Sequence, residues 1–347
     1  MDCSAVTCHG VMAHRKGFGQ FSRLLLLMAV CVAAAPALAA NPAPDASEAG
    51  MAILHKLQVA ARTLDYSGIY TYQQGAAMQS SRIVHIVDGT GERERIELLD
   101  GDPREFIRHN DVTQCLIPEK KVVILEHKRG DRFPGLILGE GRQIPDYYDI
   151  KLGQAGYRIA GRECVMLELV PRDEHRYGYR LCSDTTTHLL LKAQVIGPGG
   201  VVDQISFNSL EIGSQVTPDG LNSSWNTKGW KVIESSMKPV DLAQDGWRIP
   251  FPPGYEPVMQ VTRTMKRGKQ VNQLVLTDGL AAVSVFIESH GSGKSPPFLN
   301  EAVSTGAMNI FRTRIGDHWL TTLGEVPAQT LREIAERTQY VPLAPQQ

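Results

Sequence analysis

Residues 83–117 read IVHIVDGTGERERIELLDGDPREFIRHNDVTQCLI, and this stretch decides the fold. Side chains alternate along it in short runs, beginning with Ile83, His85 and Val87. The runs are separated by the dipeptides Asp88-Gly89, Asp100-Gly101 and Asn110-Asp111. Such breaks join neighbouring antiparallel strands. The stretch therefore predicts a β-meander without crossover helices.

The same pattern continues on both sides of this stretch. Tyr66, Tyr70 and Tyr72 alternate upstream, and further strands are predicted downstream at residues 122–126, 157–159, 164–170, 177–182, 189–196 and 201–210. About ten consecutive strands are enough to curl into an antiparallel barrel or half-barrel. Before them, apolar residues recur at helical spacing from Ile53 to Leu64, which predicts one helix with its apolar face against the sheet.

Residues 132–150 interrupt the meander with an apolar cluster and a Pro145-Asp146 pair typical of a helix start. We predict that this segment gates the concave face of the sheet and contacts a ligand there. The alternative, a loop packed permanently into the core, stays open. The candidate ligand contacts are Phe133, Leu136, Ile137, Leu138, Tyr147 and Tyr148.

The second half of the chain changes character. Residues 213–240 are rich in Ser, Asn, Thr, Pro and Gly and lose periodicity, which indicates a linker after a first domain of residues 40–212. Residues 241–342 then alternate again and end in an amphipathic segment that begins at Pro327. They predict a small C-terminal α+β domain.

Residues 1–39 have the features of a secretory signal peptide. Arg15, Lys16 and Arg23 precede an apolar run over residues 24–35, and Ala37-Leu38-Ala39 is typical of a cleavage site. The run is too short to cross a bilayer core of about 30 Å as a helix. We expect cleavage near Ala39 and a soluble periplasmic protein.

Charge and composition exclude several function classes. The formal net charge is −1, and loss of the leader, with its three basic and one acidic side chains, brings it near −3. So weak a field indicates neither nucleic-acid binding nor a polycationic membrane patch. A hydrophobic content of 42% favours a folded globule.

Three cysteines, Cys115, Cys164 and Cys182, follow the leader. Residues 164–170 and 176–182 are typical of two hairpin arms. A turn centred on Asp173 places Cys164 directly opposite Cys182, with Cβ atoms about 4.5–5.5 Å apart. We favour a disulfide there over the alternative of two small buried hydrophobic residues.

The motifs that could carry catalysis are incomplete. Residues 291–295 (GSGKS) resemble a phosphate loop, but Glu288 occupies a required glycine position and Pro296-Pro297 prevents the following helix. The histidines after the leader lack the i,i+4 pairing of a metal-binding helix, and there is no Gly-x-Ser-x-Gly elbow. We predict no catalytic residue, no metal and no cofactor.

Several stretches resemble the RseB/MucB family of periplasmic sigma-E regulatory proteins. They are PDYYD at 145–149, YRIAGREC at 157–164, RYGY at 176–179, and GEVPAQT at 324–330 running into Ile334-Ala335-Glu336. The resemblance covers essentially the whole chain after the leader. It implies an unclosed antiparallel β-barrel like that of the carriers LolA and LolB, with helices covering its concave side.

The resemblance also implies a function without catalysis. It implies binding to the periplasmic domain of a membrane-anchored anti-sigma factor (RseA/MucA type), which is thereby shielded from site-one proteolysis and is released when lipopolysaccharide or lipoprotein acyl chains are sensed. The alternative is a periplasmic lipid or lipoprotein carrier of the LolA/LolB kind. The sequence leaves a homodimer possible and does not identify the residues that contact the anti-sigma factor.

Overall fold

The computed structural model describes residues 46–127, 133–134, 141–234, 237–264, 270–290 and 300–342. The predicted signal peptide and Leu136, Ile137 and Leu138 lie outside these residues. None of the helices in these ranges is long and apolar enough to cross a membrane.

Twelve strands form one large sheet. They are β1 (Tyr66–Gln74), β2 (Ala77–Asp88), β3 (Gly91–Leu98), β4 (Glu105–His109), β5 (Val112–Ile117), β6 (Val122–His127), β7 (Tyr148–Ile159), β8 (Arg162–Pro171), β9 (Gly178–Asp184), β10 (Leu190–Gly197), β11 (Gly200–Ile212) and β12 (Lys231–Glu234). Their order is β12-β6-β5-β4-β3-β2-β1-β11-β10-β9-β8-β7. Because β12 and β7 are both edge strands, the sheet is not closed, and the predicted α+β fold with an unclosed antiparallel barrel is confirmed.

The segment predicted as a linker is partly built into this sheet. β12 comes from it and pairs in parallel with β6. A 3-10 helix, Pro218–Leu221, lies over the outer side of β2, where Val216 and Leu221 pack on Val84 and Ile86. Residues 213–234 therefore dock on the first sheet. A four-residue strand is too short to show the periodicity that would have predicted it.

Helix α1 (Ala46–Thr63) lies against the large sheet, as predicted. Leu54 and Leu57 pack with Leu167 and Leu181, while Ala60 and Ala61 pack with side chains of β1 and β2. The second predicted helix is a single turn, α2 (Ile144–Tyr147), and β7 begins directly after it.

A second sheet has seven strands in the order β13-β15-β16-β17-β20-β19-β18. Its strands are β13 (Met237–Pro239), β15 (Glu256–Thr264), β16 (Gln270–Thr277), β17 (Ala282–Ser289), β18 (Ala302–Thr305), β19 (Met308–Ile315) and β20 (His318–Gly324). Helix α3 (Ala328–Arg337) begins directly after Pro327 and buries Leu331 and Ile334 in the core of this unit. A two-stranded sheet pairs β14 (Trp247–Arg248) with β21 (Gln339–Tyr340).

Cys164 and Cys182 form a disulfide with their Cα atoms 5.5 Å apart. The predicted register is wrong, because Cys164 lies opposite Asp184 and Cys182 lies opposite Met166. The bond therefore joins diagonal positions on β8 and β9. The turn is centred on residue 174, one residue beyond the predicted centre, and Asp173 Oδ1 accepts a hydrogen bond from the backbone N–H of His175 within it.

Candidate functional site

A cavity of about 990 Å³ lies between the two large sheets. Side chains of the first sheet that line it include Tyr70, Ile96, Phe106, Ala193 and Ile205; those of the second include Val258, Met259, Val275, Leu280 and Leu323. A volume near 1,000 Å³ is at the upper end of the range for small-molecule sites. The mainly apolar lining suits an acyl chain or an extended apolar peptide segment.

Strand alternation explains why this wall is apolar. On β10, Ala193 and Val195 line the cavity, whereas Lys192 and Gln194 line a shallow pocket on the opposite face of the sheet. Successive side chains of a strand point to opposite faces. The polar residues of β10 therefore face outward and the apolar ones face the second sheet.

Among the four candidate ligand contacts of the apolar loop, Phe133 lies within the described ranges, whereas Leu136, Ile137 and Leu138 lie outside them. Its ring centroid is 5.4 Å from that of Tyr70 and 5.0 Å from that of Phe207, and it lines the cavity. This position fits both the predicted ligand contact and the alternative of a loop packed into the core. The gating role of the loop stays a prediction.

Tyr147 and Tyr148 do not line the cavity. The Tyr148 hydroxyl donates to Asp278 Oδ2 at 2.8 Å, and burial raises the pKa of this tyrosine well above its ordinary value. The Tyr147 ring lies 4.5 Å from the guanidinium carbon of Arg176. The structure therefore places both tyrosines in the joint between the two sheets, and their role as ligand contacts stays a prediction.

Arg176 is the centre of this joint. Its fully buried guanidinium lies 3.1 Å from Asp278 Oδ2, 2.9 Å from Asp173 Oδ1 and 2.7 Å from the carbonyl oxygen of Pro253, to which it donates. The ring of Tyr255 adds a cation–π contact at 5.0 Å. Although burial alone would lower the pKa of Arg176, these carboxylates raise it. The guanidinium stays charged and ties the two sheets together.

The acidic end of the cavity is formed by Tyr72, Tyr179, Asp203 and Glu325. Asp203 Oδ2 accepts a hydrogen bond from the Tyr72 hydroxyl at 3.0 Å, and Asp203 Oδ1 accepts one from the Gly75 N–H at 3.1 Å. Burial, and then the charge of Asp203, raises the pKa of Glu325. Two carboxylates thus face one part of a mainly apolar lining, which elsewhere also contains Glu94, Glu126, Arg108 and Arg263.

Sequence reasoning missed Arg176, Asp278 and the acidic end. Arg176 and Asp278 are 102 residues apart, and Asp203 and Glu325 are farther apart still, so no local pattern links either pair. The stretches RYGY and GEVPAQT contain Arg176 and Glu325 and contributed only to the resemblance. A signal was therefore present, but it did not indicate which side chains meet.

Two domains of one protein family match the two parts of this chain that contain the large sheets. Residues 49–225 match the MucB/RseB N-terminal domain and residues 241–339 match the MucB/RseB C-terminal domain. The chain is 29% identical to the sigma factor AlgU regulatory protein MucB of Pseudomonas aeruginosa, over 90% of this chain and 95% of that protein. It is 23% identical to the sigma-E factor regulatory protein RseB of Haemophilus influenzae, over 83% of this chain and 90% of that protein.

Solved structures show the same similarity. The crystal structure of MucB in complex with MucA(peri) matches with a TM-score of 0.65 at 28% identity, covering 85% of this chain and 99% of that chain. A crystal structure of MucB matches with a TM-score of 0.58 at 26% identity, covering 84% and 98%. The resemblance found in the sequence is confirmed, and the chain belongs to the MucB/RseB family.

Proposed function

We propose that this chain is a negative regulator of an envelope-stress sigma factor and acts by binding the periplasmic domain of a membrane-anchored anti-sigma factor. The observation that carries the proposal is the match, over 85% of this chain, to a MucB structure in complex with MucA(peri). Both domains of the family are present in this chain, which also supports the proposal.

We place the anti-sigma segment in the cavity between the two sheets. Its lining removes apolar side chains of a bound segment from water, which contributes about 25 cal/mol per Å² of apolar surface buried. Met237, Met259 and Met308 lie in the lining, and their flexible side chains adapt to an irregular ligand. A segment held there is unable to enter the active site of a protease, which gives the proposed shielding from site-one cleavage.

Lipid sensing follows if acyl chains of lipopolysaccharide or lipoprotein compete for the same apolar lining. A lipid shifts the complex toward release only if it binds the free protein better than the occupied one. Competition for one cavity meets this condition without a long-range pathway. The second candidate function, a carrier of lipids or lipoproteins, uses the same lining and differs in having no polypeptide ligand.

We further propose that residues 1–39 export the chain to the periplasm and that it carries out no catalytic step. Both proposals agree with the regulatory names of the relatives. The anti-sigma segment and the lipids are then met on the same side of the inner membrane.

The test is binding of the purified chain to the periplasmic segment of the anti-sigma factor from the same organism, by calorimetry with and without lipopolysaccharide. The proposal expects a 1:1 complex that slows cleavage of the segment by the site-one protease and weakens when lipid is added. Absence of binding, together with native mass spectra in which the chain carries lipid, would favour the carrier function.

A further inference from the structure

One cross-strand row forms the floor of the acidic end. Tyr179 on β9 lies opposite Val195 on β10, and Val195 lies opposite Asp203 on β11. All three line the cavity. Neighbouring strands are about 4.8 Å apart, so the backbones of Tyr179 and Asp203 are roughly 10 Å apart.

Glu325 faces this row from the second sheet. Burial is the main cause of the raised pKa of both Tyr72 and Tyr179. The charge of Glu325 contributes to each, and for Tyr179 it ranks behind the charge of Asp278. Gly306 of the second sheet also approaches Asp203, since a Cβ atom at this glycine would clash with Asp203 Oδ1. The acidic end is therefore formed by Glu325 on one wall of the cavity and by Asp203 and Tyr179 on the other.

Tyr179 has a hydroxyl without a hydrogen-bond partner. The residue is only 3% exposed, and its oxygen has no hydrogen-bond partner among the residues that the structure describes. The neighbouring tyrosines differ: Tyr148 donates to Asp278, the half-buried Tyr72 to Asp203, and Tyr255 to the carbonyl oxygen of His175. Buried polar groups are rarely left unsatisfied in folded proteins. The Tyr179 hydroxyl therefore has unused hydrogen-bonding capacity next to the cavity.

Glu325 likewise makes no hydrogen bond or ion pair with any residue in the described ranges. Among the described residues that line the cavity, Arg108 pairs with Glu92 and Glu94, and Arg263 donates to Gln273. Asp203 is 2% exposed, and the donors described above are the neutral groups of Tyr72 and Gly75. Two sheltered carboxylates that pair with no cation of the described ranges favour a positively charged ligand group.

We propose that the acidic end binds one lysine or arginine side chain of the anti-sigma segment, an inference that rests on the proposed function. The ammonium or guanidinium group donates to Glu325 and Asp203 and to the Tyr179 oxygen, while the apolar stem of the side chain lies on Val195 and Ala193. The two carboxylates repel phosphate and carboxylate groups, so this end of the cavity favours the polypeptide over a lipid with an anionic headgroup. The more apolar part of the lining suits both the polypeptide and lipid acyl chains.

The test is a double-mutant cycle between the full-length mature chain and the anti-sigma segment. Each lysine and arginine of the segment is replaced in turn by glutamine, and the dissociation constant is measured by fluorescence anisotropy against the wild-type chain and Glu325→Gln. One basic position is expected to lose 10-fold or more in affinity against wild type and little further against Glu325→Gln. Glu336→Gln, an exposed carboxylate on α3, is the matched control and should leave every dissociation constant unchanged.

Additive losses at every basic position would overturn the inference and leave the proposed function standing. Failure of the segment to bind the wild-type chain would overturn both. If Glu325→Gln instead weakens binding of an amine-bearing amphiphile such as stearylamine but not of any peptide, the acidic end belongs to a lipid headgroup and the inference is wrong.

Tyr179→Phe provides an independent check, because it removes only the unsatisfied oxygen. We expect an unchanged or higher melting temperature for the free chain and a several-fold loss of affinity for the segment. The loss should disappear when the critical lysine or arginine is already replaced. An affinity equal to that of wild type would remove Tyr179 from the site.

Discussion

The guanidinium of Arg176 lies 3.1 Å from the carboxylate of Asp278, and both side chains are fully buried. Arg176 precedes β9 of the large sheet and Asp278 follows β16 of the second sheet. The pair therefore fixes the distance between the two walls of the cavity. Because the walls are held by a charge pair with additional hydrogen bonds, we expect the cavity to keep its width when empty.

Arg176→Met should destabilise the chain strongly. It leaves Asp278 and Asp173 without their cation, and breaking a buried pair from one side costs about 3–5 kcal/mol. Urea unfolding of the purified chain measures the loss. Arg314→Met is the control: Arg314 pairs at 3.7 Å with Asp317, which is 95% exposed, and exposed pairs contribute about 0–1 kcal/mol. Equal losses for the two variants would contradict the role given to Arg176.

Glu325→Gln should stabilise the free chain at neutral pH. Burial and Asp203 raise the pKa of Glu325, so the folded state binds its proton more tightly than the unfolded state does. The ionised carboxylate therefore lowers stability as pH rises above its unfolded pKa of about 4.3. We expect a melting temperature a few degrees above wild type at pH 7 and a difference that vanishes near pH 3.5. A lower melting temperature for the variant at pH 7 would show that Glu325 has a stabilising partner.

Gly306→Ala should disturb the acidic end from the second sheet. Gly306 has a φ of +58°, and a Cβ atom there would lie 1.9 Å from Asp203 Oδ1. Gly316 is the matched control, with a φ of +54° and open space around it. Gly316→Ala carries only the left-handed strain of about 1–2 kcal/mol, and Gly306→Ala should cost about 1–3 kcal/mol more from overpacking. The difference in unfolding free energy between the two variants tests the contact, and a difference of zero would rule it out.

Reduction of the Cys164–Cys182 disulfide should lower the unfolding free energy by about 3 kcal/mol, because the intact bond closes a loop with a sequence separation of 18. Comparison of wild type with the double variant Cys164→Ser and Cys182→Ser, both in the presence and absence of reductant, measures this. The double variant should be insensitive to reductant. If wild type is equally insensitive, the bond contributes nothing to stability.

Local signals explain what the sequence predicted well. The dipeptides at 88–89, 100–101 and 110–111 each lie at a strand end or in the connection between consecutive strands, and Pro327 directly precedes α3. Such signals act within a few residues. They predict the strands, the meander and the helix without information about distant partners.

What the sequence could not predict depends on long-range contacts. The central pairing of β1 with β11 joins Tyr66 to Ile212, and no local pattern specifies it. The disulfide register depends on the centre of the turn, which lies one residue beyond the position predicted from the sequence. The cavity is assembled from both sheets, which are distant in the sequence. The local sequence around its polar lining residues predicts only strands and turns, and it does not indicate that these residues share one cavity.

The central claim is that the anti-sigma segment occupies the cavity between the sheets. The most direct measurement is the affinity for this segment of two tryptophan variants of β10. Val195→Trp places an indole in the cavity, and Gln194→Trp places the same group on the opposite face of the strand. With both variants folded, as melting temperature shows, the account predicts at least a 10-fold loss of affinity for Val195→Trp and wild-type affinity for Gln194→Trp. Wild-type affinity of Val195→Trp, or an equal loss in both variants, would contradict it.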